Sequence, residues 1–199
     1  MKNYKILCIA LITSFTFSGC FGDKKTVIGQ ETGSDDLENK NFKGNAFSFA
    51  KLSENLCGYI DMNTVQKQFA VSGATDAQED PKRRYTGKYC DFFLTFDNTP
   101  SKYSRGNLTV VEDISEDEAD WQEQWEWRKK SLKSAEYVSG LGKAAIWIGK
   151  QRKLEVKMDG YTLFLVVPPT YTINDKNAKQ HDYKNSAIAI LKNSKFFKN

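Results

Sequence analysis

The segment that decides the fold is KLEVKMDGYTLFLVV, residues 153–167. Its central Asp159-Gly160 lies between two short runs rich in apolar residues, and an Asp-Gly pair strongly favours a tight turn between antiparallel strands. Two prolines follow directly, and proline cannot donate a hydrogen bond to a neighbouring strand. The segment therefore predicts a β-hairpin of strands 153–158 and 161–167.

Three further strands are predicted from runs rich in apolar, aromatic or β-branched residues, at 89–96, 107–114 and 144–148. The polar residues 78–87 and the segment 98–106, which contains a proline and a glycine, are predicted to be loops. The expected number of strands is therefore about five.

Three helices are predicted, each beginning at a residue that caps helix N-termini: Asp61, Ser115 and Asp182. Ser115 and Glu118 form a capping box, in which each side chain accepts a hydrogen bond from the other residue's backbone N–H. Strands and helices do not alternate regularly, so the order predicts an α+β fold. We expect a single domain, in which helices pack on an antiparallel sheet of about five strands.

The helix that begins at Ser115 presents its tryptophans on two sides. One broad stripe is expected to face the sheet and contains Ala119, Trp121, Trp125, Arg128 and Leu132. Trp127 lies about 200 degrees round the helix from Trp125, because there are about 3.6 residues in each turn. Trp127 has two interpretations. It is a surface aromatic that is isolated or covered by another segment, or it is part of an interaction surface.

The first residues of the chain have the features of an export signal. Two lysines precede an apolar run at 6–17, which is too short to span a membrane, and a Ser-Gly pair then leads to Cys20. Residues 17–20 resemble the lipobox of bacterial lipoproteins, in which the signal is cut before a cysteine that carries diacylglycerol. We expect a lipoprotein signal peptide at 1–19 and lipidation at Cys20; an ordinary secretory signal is the alternative.

Lipidation at Cys20 would fix the location of the rest of the chain. Two or more acyl chains, such as palmitate, hold a protein stably at a membrane. Residues 20–45 are polar and without periodicity, which indicates a flexible tether before a globular domain at 46–199. Phe21 follows the cysteine, so we expect the outer membrane, facing the periplasm, in a diderm bacterium. Otherwise we expect the outer face of the cell membrane.

The net charge argues against one class of partner. Removal of residues 1–19 leaves 27 of the 29 Lys and Arg residues, against 25 Asp and Glu residues. A protein that binds nucleic acid would need a strongly basic surface. We therefore expect no nucleic-acid partner, and contact with the membrane through the lipid anchor.

The cysteines support an exported protein. Cys8 is lost with the signal and Cys20 is lipidated, which leaves Cys57 and Cys90. Two cysteines in an oxidising compartment are expected to pair, which favours a structural disulfide. The alternatives are a redox pair, although the C-x-x-C spacing is missing, and a metal site, although further ligands are missing nearby.

The chain offers little material for catalysis. His181 is the one histidine, and it is predicted to be an exposed loop residue at the start of the last helix. A Ser-His-Asp arrangement would depend on it, and no G-x-S-x-G motif is present. We predict no catalytic residue, metal or cofactor. A hydrolase that uses paired carboxylates is the enzymatic alternative.

Several short motifs together resemble a known group of proteins. Residues 57–60 (CGYI), 90–92 (CDF) and 138–145 (VSGLGKAA), with a C-terminal helix, are similar to small bacterial envelope lipoproteins of unassigned function, best known from actinobacteria. The resemblance covers about residues 50–195, and Lys143 departs from the acidic residue that is common after Gly-Leu-Gly. It implies a lipobox, a tether and one α/β domain with a cysteine pair, and it implies no activity.

Our first functional hypothesis is a lipid-anchored envelope lipoprotein whose domain is a non-catalytic binding or accessory module. Such a module would bind another envelope protein or a ligand. The second is a carboxylate-dependent envelope hydrolase. An immunity or inhibitor protein is a third, which the sequence does not separate from the first.

Overall fold

The computed structural model describes residues 37–69, 76–80, 87–96, 99–114, 120–170 and 181–198, all within one compact unit, Thr32–Asn199. In chain order the strands are β1 (Asp76–Glu79), β2 (Tyr89–Phe96), β3 (Thr99–Glu112), β4 (Ala135–Tyr137), β5 (Ala144–Ile148), β6 (Lys153–Lys157) and β7 (Tyr161–Val166). The α-helices are α1 (Met62–Phe69), α2 (Trp121–Ser131) and α3 (Tyr183–Lys192), and short 3₁₀-helices cover Phe49–Lys51, Cys57–Tyr59 and Gly149–Gln151.

The described strands form one antiparallel sheet in the order β1-β2-β3-β7-β6-β5-β4. The predicted α+β class and antiparallel pairing are confirmed. The predicted number of about five strands is wrong, because seven are present in the described residues. The two extra strands, β1 and β4, are short strands at the edges of the sheet, where only one neighbour is needed and the apolar pattern of a buried strand is weak.

The predicted Asp-Gly hairpin is present and lies near the centre of the sheet. Strands β6 and β7 pair from Lys153 opposite Val166 to Lys157 opposite Thr162. The turn between them needs a backbone conformation that glycine adopts without strain, and Gly160 has a φ of 75°. Strand β7 also pairs with β3, so this hairpin connects the two halves of the sheet.

Strand β3 is longer than predicted, because the expected loop at 98–106 is largely strand. The glycine that suggested a loop has another role. Gly106 lies opposite Phe92 in β2, and a Cβ atom at this glycine would lie 2.5 Å from the phenyl ring. Glycine is therefore needed at this position to make room for an aromatic ring on the neighbouring strand.

The two faces of the sheet carry separate hydrophobic clusters. The larger cluster lies under α1, α3 and the C-terminal residues, and it includes the inward side chains of β2, β3, β6 and β7. Helix α1 begins as predicted, since Asp61 accepts a hydrogen bond from the Asn63 N–H at 3.1 Å. The smaller cluster lies on the other face, under α2, and its buried members are Trp121, Trp125, Tyr137, Ala144, Ile146 and Ile148.

Contacts with the domain begin before residue 46, the predicted domain start. In the segment 37–45, Asn39 donates hydrogen bonds to the turn before β5 at 2.8 and 2.9 Å. Asn45 exchanges two hydrogen bonds with the backbone of Asp159, at 2.7 and 3.0 Å. Three of these four hydrogen bonds use a side-chain amide of the segment, and its composition did not indicate them. The earlier part of the predicted tether lies outside the described residues.

The predicted disulfide between Cys57 and Cys90 is present, with the two Cα atoms 4.7 Å apart and both residues buried. It joins a 3₁₀-helix to the start of β2. The sequence separation is 33 residues, and closing a loop of this size restricts the unfolded chain.

We predict that the double substitution Cys57→Ala and Cys90→Ala lowers the free energy of unfolding by about 3 to 4 kcal/mol, because the unfolded chain regains the entropy of an open loop. Urea unfolding of the oxidised protein and of the variant measures the difference. Reduced wild-type protein is the matched control and should behave like the variant. A loss below about 1 kcal/mol would contradict the assigned role of the disulfide.

Candidate functional site

A groove of about 240 Å³ lies on the α2 side of the sheet, between this helix and strands β3, β6 and β7. Its lining residues combine aromatic walls, charged groups and an apolar rim. They are Val111, Glu112, Asp113, Ile114, Trp121, Gln124, Trp125, Arg128, Lys157, Thr162 and Phe164. We take this groove as the candidate functional site, because it brings polar groups together with apolar walls in a concave surface.

Helix α2 forms one wall of the groove because its two inward tryptophans hold it on the sheet. Trp121 and Trp125 are four residues apart, on one side of the helix, and both are buried in the smaller cluster. Burial of a large apolar side chain contributes roughly 1.5 to 3 kcal/mol. The next turn places Arg128 over the sheet, as predicted. The described helix begins after Asp120, and the predicted capping box lies outside the described residues.

The floor of the groove contains a buried lysine with a carboxylate partner. Lys157 is 2 % exposed, and its Nζ lies 2.5 Å from Oδ2 of Asp113. The other oxygen of Asp113 accepts a hydrogen bond from Oγ1 of Thr162 at 2.9 Å. A buried charge is costly unless it is paired, so this contact offsets the cost of burying the lysine. It also fixes the end of β3 to the β6–β7 hairpin.

A second ionic cluster lies beside the first on β6. Glu155 is fully buried, and its two oxygens lie 3.0 and 2.9 Å from Nη2 of Arg128. Lys153 Nζ lies 2.7 Å from Oε1 of the same carboxylate. Two cations therefore share one anion, and this cluster carries a net positive charge. Arg128 is the member that lines the groove.

Of the predicted site residues, those that the structure describes, Cys57, Cys90 and Trp127, do not line this groove. Cys20 lies outside the described residues, and the Cys57–Cys90 disulfide belongs to the larger cluster on the opposite face. Trp127 is 68 % exposed on the outer side of α2, so it is a surface residue and no described segment buries it. It points away from the groove, as its position round the helix predicts.

The ionic residues of the groove were missed in the sequence, with the exception of Arg128. The available signal was the alternation of Lys153, Glu155 and Lys157 with apolar residues along β6. Such alternation normally indicates one solvent-exposed face. Here that face is covered by α2, and no local pattern reveals which distant residues, such as Asp113, neutralise it.

His181 is not the exposed loop residue that was predicted. Its ring stacks on Phe69, with ring centres 4.7 Å apart, and contacts Tyr183 edge-on at 4.8 Å. Its Nε2 lies 2.9 Å from Oγ of Ser186, which is buried and donates to the carbonyl of Asp182 at 3.0 Å. Because Ser186 is buried, the pair holds the start of α3 in place and does not form an accessible nucleophile.

Two further observations concern chemistry and location. Among the residues that the structure describes, no group of three or more His, Cys, Asp or Glu side chains is arranged to hold a metal ion. None of the described helices is long and apolar enough to cross a membrane.

The burial of His181 predicts a dependence of stability on pH. Burial lowers the pKa of this imidazole below its ordinary value of 6.5, although the neighbouring Asp182 acts in the opposite direction. In acid the unfolded chain therefore takes up the proton before the folded chain does. We predict that the free energy of unfolding is constant for this group above pH 6.5 and decreases as the pH falls below that value.

Urea unfolding of the wild type and of His181→Phe between about pH 8 and pH 5 measures this effect, in a range where carboxylates stay ionised. The substituted ring keeps the aromatic stacking and removes the titrating group. The decrease toward acid should be smaller in the variant. Equal decreases in the two proteins would show that His181 is not its source.

Comparisons of the chain with protein-family models, with curated proteins and with solved structures found no match.

Proposed function

We propose that the protein is a lipid-anchored bacterial envelope lipoprotein whose domain serves as a non-catalytic binding module. The observation that carries the binding function is the groove beside α2, whose two cations are each held by a carboxylate of the domain itself. Such a groove presents fixed charges to a ligand. Fixed and pre-oriented polar groups favour binding, because little ordering is needed when the ligand enters.

The same contacts weigh against the carboxylate-dependent hydrolase. Paired-acid chemistry needs one carboxyl group that gives up a proton near neutral pH and a second that acts as base or nucleophile. Both oxygens of Asp113 are already engaged, one by Lys157 and the other by Thr162. Glu112, the other carboxylate in the lining, is exposed at the rim. Neither carboxylate is placed as a general acid.

The proposed location depends on the N-terminal sequence. The apolar run before Cys20, the lipobox-like residues and the resemblance to small envelope lipoproteins support lipidation at this cysteine. The Cys57–Cys90 disulfide agrees with an oxidising compartment.

The proposed protein partner would contact the outer surface of α2, on the side of the helix that faces away from the sheet. Trp127 is exposed there, beside the ion pair of Glu126 and Lys130, whose charged atoms are 3.4 Å apart. Tryptophan is enriched among the residues that dominate binding energy in protein interfaces. An immunity or inhibitor function would be one form of such binding.

For the anchor, we predict that Cys20→Ala moves the protein out of the membrane fraction, because the residue that carries the acyl chains is lost. Fractionation of lysed cells with detection of the protein measures the distribution. The matched control is Cys8→Ala, which removes a cysteine of the signal peptide and should leave the protein in the membrane. If Cys20→Ala stays in the membrane as fully as the wild type, the anchor is elsewhere.

For the partner, we predict that a photo-crosslinking phenylalanine analogue at position 127 forms a specific adduct in intact cells. The same analogue at Lys192, an exposed residue of α3 on the opposite side of the sheet, should not form that adduct. Trp127→Ala should reduce capture of the partner and change the free energy of unfolding by about 0.5 kcal/mol or less, as for other surface substitutions. The same adduct from both positions, or none from position 127, would contradict the proposed surface.

A further inference from the structure

The guanidinium of Arg128 is fixed in place but only partly used by the protein. Its Nη2 contacts both oxygens of the buried Glu155, at 3.0 and 2.9 Å. Its Nε is buried and has no hydrogen-bond partner among the described residues. Oε2 of Glu155 is also buried and has no hydrogen-bond partner among the described residues, so both unpaired atoms belong to this one ion pair, and a ligand can reach only the exposed part of the guanidinium. The side chain as a whole is 39 % exposed and lines the groove.

The charges near the groove favour an anion next to this arginine. Glu155 is shared by Arg128 and Lys153, which leaves one positive charge in excess in this cluster. The neighbouring Lys157 and Asp113 neutralise each other. The remaining carboxylate, Glu112, is exposed at the rim, where solvent and salt screen its repulsion. The excess charge is therefore available to a ligand.

The walls of the groove favour an apolar body for that ligand. Phe164 lies on the floor, and Lys153 Nζ is 5.7 Å from the centre of its ring, so aromatic and cationic surfaces adjoin. At the rim, Val111 is 50 % exposed and Ile114 is 68 % exposed. Exposed apolar side chains around a concave surface mark a binding site more often than an ordinary surface. The volume of about 240 Å³ limits the ligand to a small molecule or a single terminal residue.

We propose that the groove binds a small carboxylate attached to an apolar or aromatic body, and that the carboxylate accepts hydrogen bonds from Arg128. The exposed N–H groups of the guanidinium can donate to a carboxylate, and Glu155 holds the guanidinium in position before the ligand arrives. This proposal rests on the proposed binding function and names the chemical class of the ligand.

Calorimetric titration of the detergent-solubilised full chain with phenylacetate tests the proposal, with detergent alone as the blank. For a ligand of this size we expect a dissociation constant on the order of 1 mM. Phenylacetamide has the same shape without the charge and should bind at least about tenfold more weakly. A tripeptide ending in phenylalanine, with a free or an amidated C-terminus, shows whether the carboxylate belongs to a free small molecule or to a peptide end.

Variants separate the contribution of Arg128 from the stability of the domain. Arg128→Gln should weaken phenylacetate binding at least about tenfold, and Arg128→Lys, which keeps the charge but loses the fork, should bind with intermediate strength. Lys133→Gln, which removes an equal charge just beyond α2 and outside the groove lining, should bind like the wild type. If Arg128→Gln does not fold, Val111→Trp blocks the groove from its exposed rim without touching the ion pairs and should also abolish binding.

Two results would overturn the proposal. Equal binding of phenylacetate and phenylacetamide would show that the charge is not recognised, while the groove would remain a binding site. If neither compound binds at about 10 mM, the groove is not a carboxylate-binding site. The lipid anchor and the partner surface are tested separately, by Cys20→Ala and by the crosslinker at position 127.

Discussion

The arrangement of the domain depends on the neutralisation of two buried charged side chains, Glu155 and Lys157, on a covered strand. Strand β6 lies between β5 and β7, with its apolar side chains in the larger cluster and its charged side chains beneath α2. Burial of an unpaired charge costs several kcal/mol, so each charge requires a partner from elsewhere in the chain. Arg128 supplies one from α2, and Asp113 supplies another from the end of β3. The positions of these two elements are thereby coupled to the central hairpin.

This constraint gives the two faces of the sheet different properties. The larger cluster is almost wholly apolar, with helices on one side and the disulfide at one margin. Closely packed apolar side chains tolerate few changes of shape. The α2 face has a smaller apolar cluster and an ionic floor, and its exposed side chains include Val111, Ile114 and Trp127. Stability is concentrated on the first face, which leaves the second face free to carry a groove and an uncovered aromatic residue.

Local chemistry determined what could be predicted from the sequence. Asp159-Gly160 is by itself a strong turn signal, and the spacing of Trp121, Trp125 and Trp127 defines the sides of one helix. The disulfide between Cys57 and Cys90 was also predicted from the count of the cysteines and is present. The features that were missed depend on distant contacts. Edge strands β1 and β4 take their conformation from a neighbour, Gly106 is selected by a ring on another strand, and the ionic floor is completed only when the helix covers it.

The ionic floor also supports the proposal that this groove binds a ligand and does not catalyse a reaction. Catalytic groups need a proton affinity close to the working pH, which burial achieves only when a group lacks a permanent counter-charge. Here Lys157 lies against Asp113, and Glu155 lies against two cations, so each of these groups has a counter-charge within the domain. Groups held in such pairs are poorly placed to transfer a proton, but fixed charges select ligands by sign. In the proposed complex, the positive charge by which Arg128 and Lys153 together exceed Glu155 favours an anion.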